Sequence, residues 1–178
     1  MAAAAVFAAG RAGWEGQPPR VSPGDTLGRA LEAAGASRPV PGPAEAAAVL
    51  DDFHDAAAKA DFERYFGHFA AGGVFLGTDP GERWTVEQFK AYARPHFTEG
   101  RGWTYRPRAG KRHFTAGEGC IWFDEAVDND RYGECRGTGV LVREGGAWKI
   151  AQYSLSVPVP NDLLPKVVEM IRTAAPKR

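Results

Sequence analysis

Large apolar side chains are scarce up to position 42 and then fall into a helical rhythm. Val49, Leu50, Phe53 and Ala57 recur at spacings of three and four within residues 44–60, which places them on one stripe of an α-helix. Pro43 stands where a first-turn proline loses no hydrogen bond. Asp61 suits the N-cap of a second helix, because its carboxylate accepts from N–H groups that have no helical partner, and Phe62, Tyr65, Phe66 and Phe69 carry the rhythm on to Gly72-Gly73. A short strand at 74–76 and a turn at 77–81 follow. Thr85 with Gln88 forms a capping-box pattern that opens a third helix through Phe89 and Tyr92, and Pro95 predicts its end near Arg94.

Beyond that point the period changes to alternation. Residues 103–106, 111–115, 120–127, 134–143 and 148–157 are β-branched and aromatic runs between Gly, Asp and Asn clusters, as strands require. The connections at Asp128-Asn129-Asp130 and Glu144-Gly145-Gly146 are short enough for hairpins, so this part of the sheet is antiparallel. Leu163, Leu164, Val167, Val168 and Ile171 predict a last short helix with one apolar face. The order of elements predicts an α+β fold: a cone-like roll of N-terminal helices packed on a strongly curved, mainly antiparallel sheet that encloses a pocket. Residues 1–42, rich in Ala, Gly and Pro, read as a flexible leader, 43–164 as the folded domain, and 165–178 as a short helix and tail.

Composition narrows the function classes. The 178 residues are the length of one ordinary domain, and 22 basic residues balance 22 acidic ones, so no global field recruits nucleic acid or an anionic membrane surface. No apolar run approaches the roughly 18 to 20 residues that cross a bilayer. The opening MAAAAVFAAG is apolar but lacks the basic residues of a secretory signal, which points to a cytoplasmic protein, or to an exported one if this segment is a truncated signal. Cys120 and Cys135 fall inside strand runs, where small buried hydrophobes are expected in preference to a disulfide. Serine occurs only at 22, 37, 154 and 156, with no nucleophile-elbow pattern. Gly137-Thr138-Gly139 lies within a strand and reads as close backbone packing. The four histidines stand apart, so neither a metal site nor a cofactor is expected. The basic run Arg106–His113 reads as a solvated hairpin end.

Candidate chemistry follows from strand alternation. Trp148, Ile150, Gln152 and Ser154 share one face of the last strand if alternation is strict, and the two large apolar residues direct that face inward. In the preceding strand the Arg136 face is expected to be the inner one. A two-residue turn at Asn129-Asp130 then sets Glu125 diagonal to Arg136, while a one-residue change of register brings Asp124 inward instead. Asp79, Glu82 and Trp84 follow the first strand, at a pocket mouth; His54 lies one turn beyond Leu50; Trp103 and Trp148 are expected wall residues. The candidate acids and bases are therefore Glu125, Asp124, Asp79 and His54, and the candidate ligand contacts are Arg136, Gln152, Ser154, Trp84, Trp103 and Trp148.

Several pieces, in order, resemble the SnoaL-like branch of the nuclear transport factor 2-like superfamily: Val49-Leu50-Asp51-Asp52-Phe53-His54, Gly77-Thr78-Asp79 with Glu82-Arg83-Trp84, Trp122-Phe123-Asp124-Glu125, Arg136-Gly137-Thr138-Gly139-Val140-Leu141, and Trp148-Lys149-Ile150 through Pro160-Asn161. The resemblance implies a cone of helices over a curved sheet, often dimeric through that sheet. Its relatives include polyketide cyclases, dehydratases, ketosteroid isomerases and non-catalytic binding proteins. The three ketosteroid isomerase positions map onto Gly77, Phe53 and Thr138 or Gly139, none of which carries the required group, so that reaction is disfavoured. A carrier or sensor of a small apolar or acidic organic ligand, anchored by Arg136, stands slightly ahead of a lyase, isomerase or cyclase acting on a small carbonyl compound. A homodimeric scaffold comes third. Whether the chain is an enzyme stays open in the sequence.

Overall fold

In the computed structural model, which describes residues 43–174, the elements run α1 (Pro43–Ala58), α2 (Phe62–Gly67), β1 (Phe69–Leu76), β2 (Arg83–Thr85), α3 (Val86–Thr98), β3 (Arg106–Gly117), β4 (Cys120–Asn129), β5 (Gly133–Glu144), β6 (Ala147–Ser156) and α4 (Leu164–Ala174). The expected leader, residues 1–42, lies outside the described residues. Between α1 and α2 the chain reverses within a few residues. Ala60 takes the left-handed conformation (φ 54°), and the N–H groups of Ala60 and Asp61 bond back to the carbonyls of Ala57 and Ala56, which closes α1. Asp61 then caps α2 by accepting from the Arg64 N–H at 3.2 Å. The Thr85–Gln88 capping box forms in both directions.

Two helix ends differ from the sequence pattern. Phe69 begins β1 and does not extend α2, because the Ile150 N–H bonds to the His68 carbonyl at 2.7 Å and the pairing of β1 with β6 starts there. Pro95 does not end α3, which continues to Thr98. Only the bond that a residue-95 N–H would make is missing, and Phe97, buried against Tyr65 and Trp103 at 5.5 and 4.9 Å between ring centres, holds the last turn in place. Trp103–Tyr105, expected as strand, precedes β3 as loop.

The six strands form one mixed sheet in the order β2-β1-β6-β5-β4-β3, with β1 and β6 parallel and the other pairs antiparallel. The helices lie against one face, α1 on β3 and β6 and α3 on β1 and β2. Between the layers sits an aromatic core in which Phe75 stacks on Phe89 at 4.1 Å and Phe53 on Tyr65 at 4.6 Å. Cys135 is buried, Cys120 is half-buried, and both are free thiols. α4 forms, but no residue of it is buried.

Register decides which side chains reach the core, and two local features overturn the expected faces. The β4–β5 turn has three residues, not two. Asn129 pairs with Gly133 (φ 72°), and the Asn129 side chain accepts from the N–H groups of Arg131 and Tyr132. Glu125 therefore faces Gly137, where the shorter turn would have set it opposite Glu134. The inner face of β5 is Cys135, Gly137, Gly139 and Leu141, and Arg136 points outward. In β6, Val140 pairs with Gln152 but Leu141 with Ile150, so Ala151 is an extra residue that resets the alternation. Trp148 and Ile150 point inward before it, Tyr153 and Leu155 after it, and Gln152 and Ser154 turn to the outer face.

Pro95 is exposed, so its replacement isolates the helix term. Pro95→Ala is expected to raise stability by roughly 1–2 kcal/mol in urea denaturation, the restored helical bond outweighing the proline's stiffening of the unfolded chain.

Candidate functional site

One carboxylate is sealed between the layers. Glu125, 1% exposed at the middle of β4, accepts from three donors brought by three elements. His54 Nε2 of α1 lies 2.7 Å from Oε1, the Tyr153 hydroxyl of β6 donates to the same oxygen at 2.8 Å, and Arg112 Nε of β3 donates to Oε2 at 2.7 Å. The Arg112 guanidinium also reaches Asp51 Oδ1 at 2.7 Å, tying β3 to α1. His54 faces inward because it shares the α1 stripe with Leu50 and Phe53. Tyr153 reaches Glu125 because of the extra residue at Ala151. Gly137 leaves space for both, since a Cβ there would run into the Tyr153 hydroxyl and come within 3.0 Å of Glu125 Cγ.

Charge and hydrogen bonding settle protonation at this point. Burial pushes the Glu125 carboxyl upward, but the His54 hydrogen bond, the Arg112 charge and the Tyr153 hydroxyl outweigh it and hold the group below the ordinary carboxylate range. Burial first, and then the neighbouring Glu125 charge, push the Tyr153 phenol far up, so it remains a donor. An ionised carboxylate only accepts, so His54 donates through Nε2. Its Nδ1 has no protein partner among the described residues.

His54 forms part of the wall of a recess of about 20 Å³, with Tyr65 and Tyr153, at the inner end of a cleft of about 480 Å³. Phe75, Trp103, Tyr105 and Leu155 border both, so the two spaces adjoin. The recess has room for a group the size of one water. The cleft above it is walled by aromatic rings, with Trp84 stacked on Tyr92 at 4.6 Å. Its mouth carries Glu82, Asn129, Asp130 and Arg131.

The expected site residues thus separate. His54 and Glu125 meet, and Trp84 and Trp103 line the cleft. Asp124 is exposed on the opposite face from Glu125. Asp79 is exposed and accepts from the Gly81 N–H at 2.8 Å within its own turn, while Glu82 lines the cleft in its place. Arg136 and Gln152 are exposed on the outer face, where Ser154 is half-buried, for the reasons of register given above. Trp148 is buried but lines neither cavity. The sequence pattern did not single out Arg112, Tyr153 or Tyr105. Arg112 sits in the Arg106–His113 run, whose Arg106 and Arg108 do pair at the surface, with Asp130 and with Asp128 and Glu134. Among the described residues no group of three metal-ligating side chains comes together.

Residues 46–160 match the family model described as a SnoaL-like domain. The chain belongs to that family. No match was found among curated protein sequences. Solved structures share the fold at low identity. An NTF2-like protein of unknown function from Pseudomonas putida is 14% identical, with a TM-score of 0.56 over 69% of this chain and 92% of the other. An NTF2-like family protein from Streptomyces avermitilis, proposed to be a dehydratase, is 13% identical, with a TM-score of 0.54 over 66% and 96%. A protein from Novosphingobium aromaticivorans, proposed to be a scytalone dehydratase, is 12% identical, with a TM-score of 0.53 over 65% and 83%. No helix among the described residues of this SnoaL-like chain is long and apolar enough to cross a membrane.

Two outcomes follow from the packing around Glu125. Gly137→Ala is expected to lose about 1–3 kcal/mol of stability in urea denaturation, from forced overpacking. Because the Glu125 carboxyl is lowered from 4.5, its stabilisation is complete above that pH and is lost as pH falls through the lowered value. Acid titration followed by circular dichroism is therefore expected to show a flatter stability profile below pH 4.5 for Glu125→Gln than for the parent, beginning from a lower plateau.

Proposed function

We propose that this SnoaL-like protein is an acid–base lyase or isomerase that removes a proton next to the carbonyl of a small, flat organic molecule, with His54 as the base. One observation carries the reading: in a recess adjoining an aromatic cleft, His54 has Nε2 fixed on a buried, ionised carboxylate while Nδ1 has no protein partner among the described residues. Glu125 sets the tautomer and stabilises the imidazolium that forms on proton uptake, the role a buried carboxylate plays behind a catalytic histidine elsewhere. Arg112 keeps Glu125 ionised, so the proton stays on His54. The carbanion is stored as an enolate. It then either regains the proton at another carbon, which is isomerisation, or expels a β-hydroxyl that leaves as water with the proton from His54, which is dehydration. The two structural neighbours proposed to be dehydratases fit the second outcome, while at 12–13% identity they show only the fold.

The carrier reading loses its charge anchor, because Arg136 faces away from the cleft. Arg131 does not replace it, since it lies at the mouth, 5.3 Å above the Tyr132 ring, and Arg112, held by Glu125 and Asp51, lines neither cavity.

The α-hydrogens of 2-tetralone, a flat ketone, serve as the probe. The parent protein is expected to accelerate their exchange in D2O, followed by NMR, and His54→Gln, which keeps a donor toward Glu125, to lose about a hundredfold of that acceleration or more. Exchange no faster than in buffer, or unchanged in the variant, sinks the assignment of His54 as base.

A further inference from the structure

A base alone completes half of such a reaction. As the α-proton leaves, negative charge gathers on the carbonyl oxygen, and in a water-poor cleft that oxygen needs a donor already in position. Resting on the reading of His54 as the base, we propose that Tyr105 is that donor, binding the substrate's carbonyl oxygen through its phenol, and that it makes the site one for neutral ketones or aldehydes as opposed to carboxylates.

The cavity walls select this residue. Six tyrosine and histidine side chains line the two adjoining spaces, and they fall into distinct positions. Tyr92 and Tyr132 line only the outer cleft and are about half exposed, at 48% and 44%. Tyr65, Tyr153 and His54 line only the inner recess. Tyr105 alone among them borders both, so a carbonyl whose α-carbon reaches the recess passes its ring.

Of the other inner hydroxyls, Tyr153 donates to Glu125, and Tyr65 lies deep in the core at 1% exposure and borders only the recess. Tyr105 makes no side-chain hydrogen bond among the described residues, and burial pushes its phenol up to about 12, so it carries its proton throughout the neutral range. The chain just before it is anchored twice. The Asn129 amide donates to the Thr104 carbonyl at 3.0 Å, and Trp103 packs edge-on against Phe97 at 4.9 Å.

The same inventory sets the charge of the ligand. A phenol holds an enolate oxygen well but gives a carboxylate only one neutral donor, and among the described residues no Lys or Arg lines the recess to offset the cost of burying that anion. At the mouth Asp130 is paired with Arg106 and Glu82 balances Arg131, so no net positive charge gathers there.

Two ligands with one skeleton test the inference. 2-Tetralone and tetralin differ only by the carbonyl oxygen, and quenching of the cleft tryptophans Trp84 and Trp103 reports binding of either. Tyr105→Phe, which removes one oxygen atom, is expected to weaken 2-tetralone binding about three- to tenfold, to leave tetralin binding unchanged, and to slow α-exchange of bound 2-tetralone more than it weakens binding. The unchanged tetralin affinity doubles as the check that the variant is folded. 2-Naphthoate is expected to bind the parent at least ten times more weakly than 2-tetralone. Equal losses for both tetralin ligands, no loss for either, or tight naphthoate binding overturns the inference while leaving His54 as base. Failure of the parent to bind either tetralin ligand overturns the cleft reading and the inference together.

Discussion

Everything at the centre of this molecule is arranged around one buried anion. A carboxylate taken out of water is costly unless donors replace its hydration, and Glu125 has three, each delivered by a different element: His54 from α1, Arg112 from β3 and Tyr153 from β6. The ion pair with Arg112 is not in itself a strong source of stability, because desolvation offsets much of its attraction. Its effect is on specificity of packing. Any shift of α1 along the sheet, or of β3 against β4, strands a charge in the core at a cost of about 3–5 kcal/mol. The helix layer is thereby pinned to the sheet at one point.

That pin lies at the closed end of an aromatic wedge. Phe53, Tyr65, Phe75, Phe89 and Trp103 stack or meet edge to face from the pin outward, and where the two layers part between α3 and the β4–β5 turn the wedge opens into the cleft. The polar network and the cleft are therefore two parts of one construction. The charged groups that fix His54 through Nε2 sit in the core, while its ring also borders the recess. An apolar recess on one side and full charge on the core side are what a histidine base requires, since a proton gained from a ligand is stabilised without the carboxylate meeting that ligand.

Much of the architecture was legible along the chain because the signals behind it are local. The capping box at Thr85 and Gln88, the Asp61 N-cap and the two positive-φ glycines Gly145 and Gly146 at the last hairpin each depend on a few neighbouring residues, and each formed where its pattern stood. His54 belonged to that class too, since a stripe of helical spacing places it inward. Glu125 was half legible: the sequence narrowed the buried acid to two adjacent residues.

What separated those two was register, which is not local. One extra residue in the Asp130–Tyr132 turn exchanged the faces of β5, sending Arg136 out, and one extra residue at Ala151 exchanged the faces of β6 half-way along, sending Gln152 out and Tyr153 in. Because a strand has a period of two, a single residue reverses every assignment beyond it, and nothing in the immediate neighbourhood of Ala151 marks the reversal. Arg112 was hidden for a related reason. Its run of basic neighbours reads as solvent-facing, and only the pairing of β3 with β4, across the chain from Glu125, turns that one guanidinium inward. The sequence by itself determined the elements, their order, the family and the inward histidine; the tertiary structure alone decided which partners meet it, because partners are chosen by strand pairing between segments far apart along the chain.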